Sequence, residues 1–192
     1  MQTLGLSSEN KRSDGWLKSL LWPAVDNAWD VDYLGQQGMW ICTVLAVFTL
    51  IASFLSGNPF VVGIGVLSAL FFVLGGMGIR EGNWPAAAIV FAVHLCNVLL
   101  SPNVLNVAFA IVLLSNLRAT FLASEWKPAA EGEDQPTRFN ETLADKYVDR
   151  MPRLLWPKVH IPFLIVGASM LLLSLLGVAF VLARDLGFLP HR

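Results

Sequence analysis

The chain reads as an all-α integral membrane protein, with five transmembrane helices and short amphipathic cytoplasmic helices. Three observations predict this. Over 192 residues, 55% are hydrophobic, only 14% are charged and the mean hydropathy is +0.60, values that a soluble globular domain rarely reaches. From Gly38 to Phe121, four apolar segments follow one another with only Arg80 and Glu81 interrupting them before Arg118. The Lys and Arg residues, finally, are divided unequally between the two sides that five spans would define.

The first region, 1–35, is polar and cytoplasmic. Ser13 and Asp14 offer an N-cap and a first-turn acid for a short helix. Trp16, Leu17, Leu20 and Leu21 share one face of it, Lys18 lies opposite, and Pro23 ends the run. Trp16 and Trp22 are placed as anchors at headgroup depth. Three carboxylates follow: Asp26, Asp30 and Asp32. They are candidate ligands for a hard cation, but the spacing lacks the glycine and terminal glutamate of a calcium loop, and a solvated connector is the favoured reading.

The block 36–123 contains segments at about 38–56, 60–79, 84–100 and 104–121. Each holds about twenty residues, which at 1.5 Å per residue matches a hydrocarbon core of roughly 30 Å. They are separated by Gly57-Asn58-Pro59, by the turn Arg80 to Asn83, and by Ser101-Pro102-Asn103. Cys42 and Cys96 have no paired spacing and fall at different depths, so both are read as small apolar residues. Gly65, Ala69 and Gly76 lie near one face of the second segment, a seam for close helix packing.

Polar residues within spans are where function is sought first. These are His94, Asn97, Asn106, Asn116 and Arg118. His94 is the one candidate cofactor ligand, but no second histidine shares its depth, and a neutral, hydrogen-bonded structural role is the favoured reading. A turn centred between Ser101 and Pro102 sets Asn97 and Asn106 at equal depth, which predicts that they pair, with His94 as the competing partner for either. Arg118 is within snorkelling reach of the interface.

The loop 124–158 opens with an acidic linker containing Gly and Pro, and then predicts an amphipathic helix at about 137–150. Phe139, Leu143, Tyr147 and Met151 form an apolar row, while Glu141, Asp145 and Asp149 form an acidic row roughly opposite. Such a helix lies on an anionic leaflet or docks on a partner. The hexapeptide Leu20 to Val25 recurs with one mismatch as Leu154 to Val159, which predicts a second interfacial anchor at Trp156. The fifth span is 159–183, with a small-residue seam at Gly167, Ser174 and Gly177, and 184–192 forms an external tail.

Eleven Lys and Arg residues fall on the side of the N-terminus, against Arg184 and Arg192 on the other. This asymmetry places the N-terminus and the charged loops in the cytoplasm and the C-terminus outside. The first span acts as its own insertion signal, because the leading residues lack an apolar core and a small-residue cleavage site. The run Gly78-Ile79-Arg80 and the segment Asn116 to Phe121 resemble many short bacterial inner-membrane proteins, a resemblance that implies a location and no mechanism.

No phosphate-binding glycine loop, nucleophile elbow or His-Glu-x-x-His motif occurs. The expectation is a non-enzymatic accessory subunit or scaffold of a membrane complex, with a small transporter or channel as the alternative and an intramembrane enzyme third. Its partners are the lipid bilayer and a protein or second copy meeting the small-residue seams or the amphipathic helix. No cofactor and no nucleic-acid partner is indicated.

Overall fold

In a computed structural model, residues 22, 23, 25, 28–125 and 142–186 are described. They are helical throughout apart from short turns, and no strand occurs among them. The helices are α1 (Ala28–Leu55), α2 (Pro59–Arg80), α3 (Trp84–Leu100), α4 (Val104–Glu125), α5 (Leu143–Asp145) and α6 (Met151–Asp185), with a π-helical turn (Lys146–Arg150) joining the last two. Four stretches are long and apolar enough to cross a membrane, namely Asp30–Leu55, Pro59–Arg80, Val104–Glu125 and Leu143–Asp185; Trp84–Leu100 is apolar but shorter.

Local chemistry sets the boundaries. Gly57, at φ +66°, ends α1 in the left-handed conformation that glycine adopts without a steric cost. Asn58 then accepts from the Phe60 amide at 2.9 Å, with Pro59 at the first helical position, where a missing N–H costs nothing. At the far end of α2, the Asn83 amide donates to Gly78 O and the Gly82 amide to Ile79 O, while Gly82 sits at φ +70°. This pair of bonds is a Schellman motif. Asn83 also caps α3 by accepting from the Ala86 amide at 2.9 Å, so one residue closes α2 and opens the next helix. Asn103 accepts from the Asn106 amide in the same way at the start of α4.

Helices α1 to α4 form an antiparallel ring: α1 lies against α2 and α4, and α3 lies against the same two. Helix α6 packs outside this ring on α2 and α3. Glycine sets the closeness of the α1–α2 contact. A Cβ on Gly65 would run into Ser53 Oγ, and one on Gly76 would lie 2.8 Å from Cys42 Cβ. The seam of Gly65, Ala69 and Gly76 therefore serves packing within the chain. In the fifth-span seam, Gly167 meets Ile89 and Phe71, whereas Gly177 faces open space. Large apolar side chains remain exposed around the outside, Phe54, Phe60, Val104 and Leu173 among them, the reverse of a water-soluble surface.

Several expectations are corrected. Helix α1 starts at Ala28, not near 38, so Asp30 and Asp32 belong to a helix and not to a solvated connector. Helix α6 starts at Met151 and runs through both Pro157 and Pro162, so the segment expected as loop up to 158 is helical. Of the expected helix at 137–150, residues 137–141 lie outside the described residues, as do Trp16 and Asp26. Its remainder starts at Thr142, whose hydroxyl and amide form a reciprocal capping box with Asp145. Within it Val148 and Asp149 are buried against the bundle, whereas Leu143 is 85% exposed.

Candidate functional site

The polar centre of the molecule is Arg80. It is the last residue of α2, held there by the Schellman turn, and its side chain is only 2% exposed. Its Nε donates to Asp149 Oδ1 at 3.1 Å, and Nη2 donates to the same oxygen at 2.6 Å. Nη1 donates to Asp32 Oδ1 at 2.7 Å and to the Asp32 main-chain oxygen at 2.8 Å. Nη2 also reaches Asp32 Oδ2 at 3.2 Å. A guanidinium carries five N–H donors in a fixed fork, and these five bonds engage all of them.

The three groups come from separate parts of the chain: Asp32 from α1, Arg80 from α2 and Asp149 from the π turn. Two glycines of α1 allow that helix to approach. Gly35 runs beside Arg80, and a Cβ on Gly38 would lie 2.6 Å from Ile79 Cγ2 and 2.7 Å from Asn116 Oδ1. Asn116 lies on α4, fully buried, with Nδ2 donating to Val112 O at 2.9 Å. Tyr147, two residues before Asp149, shares a hydroxyl–hydroxyl hydrogen bond of 2.8 Å with Thr43 and packs its ring on Trp40. The π turn is thus fastened to α1 by Tyr147 and to α2 by Asp149.

The sequence places Arg80 in a turn, Asp32 among candidate cation ligands and Asp149 in an acidic row; the structure brings the three together instead. A buried arginine requires carboxylates, however, because removing a cation from water is costly unless it is paired and hydrogen-bonded. Asp32 is committed to that task, and no grouping of three or more metal-binding side chains occurs among the described residues. The one signal in the sequence was an arginine directly after an unbroken apolar run.

His94 occupies a second polar position, on α3 and 2% exposed. Its Nε2 donates to the main-chain oxygen of Asn106 at 3.0 Å, and Phe72 and Phe109 stand against the ring at 6.4 and 6.5 Å between centroids. The expected Asn97–Asn106 pair is not formed. Asn97 is exposed, and Asn106 Nδ2 donates instead to Ser101 O at 3.2 Å. The two amides do not share a seam, and the competing partner His94 takes the Asn106 backbone.

The expected anchors have different environments. Trp22 is 39% exposed, and the Arg118 guanidinium lies 5.2 Å over its ring while donating to Pro23 O at 3.3 Å. Trp156, by contrast, is 7% exposed and is corrected from an interfacial anchor to a core residue, packed against Phe163 and Gly78. A Cβ on Gly78 would lie 2.5 Å from the Trp156 ring. The indole is buried because glycine leaves room for it on α2.

The fold and its buried ion-paired centre define a class: a bundle of long apolar helices tied at one end by an arginine held between two carboxylates. Comparison with protein-family models, with curated proteins and with solved structures finds no match to this chain.

Proposed function

We propose that this chain is a five-span membrane protein of a bacterial inner membrane, with its N-terminus and both charged loops in the cytoplasm and its C-terminus outside, acting as a non-enzymatic accessory subunit or scaffold. The membrane reading is supported by the length of the apolar helices and the apolar exterior. Helix α3, with 17 residues, is at the short limit for a span, and Trp84 at its start suits an interfacial position. Arg80, Asp32 and Asp149 lie at the same end as most of the basic residues among the described ones, which supports assigning that end to the cytoplasm.

The observation that carries the scaffold reading is the commitment of Arg80. All five donors serve to join α1, α2 and the π turn, which leaves the guanidinium no donor for a substrate anion. His94 is similarly bonded to the backbone of α4. The bundle's buried polar chemistry is spent on holding helices together, and what it offers outward is apolar helix surface. Helix α6 contributes most of this, since Gly167 is its last buried residue.

Purification in gentle detergent tests the reading, with a partner at fixed stoichiometry as the expected result. Gly177→Leu gives the control, because nothing lies within 4 Å of a Cβ at that position. It should leave the melting temperature of the isolated chain unchanged while weakening recovery of the partner, as larger residues do at close helix contacts. A chain that purifies alone and conducts solute across vesicles would favour the transporter alternative.

A further inference from the structure

An open groove of about 520 Å³ runs between α2 and α6. Leu67, Leu70 and Leu74 form one wall, and Pro162, Val166 and Met170 the other. The groove follows α6 from Val159 to Leu173, and no residue of α6 beyond Gly167 is buried.

We propose that this groove is a binding site for one acyl chain of an anionic phospholipid from the cytoplasmic leaflet. The inference rests on the membrane reading above. Two features select this occupant over a partner helix. Helices in membranes meet through small residues that let backbones approach, and the glycines of α2 that make close contacts are already occupied within the chain: Gly65 and Gly76 by α1, Gly75 by Val90 and Phe163, Gly78 by Trp156. Apart from Ser68, the groove is lined by large apolar side chains, a surface that suits a flexible hydrocarbon tail. The second feature is charge. Lys158 lies one helical turn before Pro162 and two before Val166, on the groove-facing side of α6, and it is exposed. That cation meets the phosphate of a lipid whose tail follows the groove towards Met170.

The experiment measures phospholipid retained by the full chain, extracted in gentle detergent from vesicles of phosphatidylglycerol and phosphatidylcholine, by native mass spectrometry. The parent should retain one phosphatidylglycerol in excess of its bulk fraction. Lys158→Gln should keep a bound lipid but reduce the preference for phosphatidylglycerol by about fivefold, the factor one lysine supplies near an anionic surface. Ser68→Phe and Val166→Phe, which fill the groove from opposite walls, should each abolish retention while the chain stays monodisperse. Retention equal to the parent's in a monodisperse filled variant, or no retained lipid in the parent, would overturn the site. Cross-linking of a second polypeptide through Leu67→Cys would also overturn it, in favour of a helix. Carbonate washing of the starting membranes separates the two readings: a chain that washes off refutes the membrane assignment, whereas one that stays embedded without retained lipid refutes only the groove.

Discussion

Arg80 is paired with two carboxylates whose side chains are 23% and 10% exposed at Asp32 and Asp149, so its energetics are those of a buried triad. Removing one partner strands charge in a low-dielectric site. Asp149→Asn should therefore destabilise the chain by about 3 kcal/mol, read from unfolding in detergent. Arg80→Lys should be nearly as damaging, because an ammonium has three donors and no planar fork for two carboxylates. If the triad serves the fold alone, Arg80→Met combined with Asp32→Leu and Asp149→Leu should recover most of the loss, as apolar replacement of buried triads can. Failure to recover, with the chain still folded, would point to a role for the charges beyond holding helices. Gly78→Ala tests packing at the same scale: its new methyl would lie 2.5 Å from the Trp156 ring and 2.6 Å from Ala86 Cβ, which should cost about 2 kcal/mol. Partner choice at these positions was not legible, since Leu-Leu-Trp-Pro reads alike at Trp22 and Trp156. What separates the two indoles is Gly78, more than seventy residues away from the latter in sequence.

Among the elements, the π turn Lys146–Arg150 determines how the segment between α4 and α6 meets the bundle. It brings Tyr147 to Thr43 and Asp149 to Arg80 from one short stretch. A double-mutant cycle with Tyr147→Phe and Thr43→Val isolates the first contact, and the coupling should be about 0.6 kcal/mol, as hydrogen bonds between membrane helices average. Additive losses would mean that the hydroxyls do not hold the turn to α1. The three turns within 55–104 were legible because they depend on local chemistry, with Asn58 and Pro59, Gly82 and Asn83, and Ser101 to Asn103 marking them, whereas the starts of α1 at Ala28 and α6 at Met151 were not, because polar residues precede the apolar run in both. The expected segment at 84–100 coincides with α3. The i, i+4 rows of the expected amphipathic helix do not foretell the π turn, which carries Asp149 to Arg80 and buries it beside Val148. Likewise, hairpin spacing says nothing of rotation about the helix axes, which packing decides, and Asn106 bonds to Ser101 and His94 instead of Asn97.

For the whole molecule, the contacts among Asp32, Arg80 and Asp149, with that of Arg118 to Pro23, gather the start of α1, the ends of α2 and α4 and the start of α6 at one end of the bundle. The turns at Gly57 and Ser101 and the end of α6 lie at the other. If this is a five-span protein with the charged end in the cytoplasm, the two ends must differ in access across an intact membrane. Cysteine substitution measures this directly against a quiet background, because Cys42 and Cys96 are both buried. With an impermeant thiol reagent on intact cells, Ser101→Cys and Leu189→Cys should be labelled, and Ser124→Cys should be labelled only after permeabilisation. Labelling of Ser124→Cys in intact cells with protection of the other two would reverse the orientation, and equal labelling of all three would contradict a membrane-spanning bundle altogether.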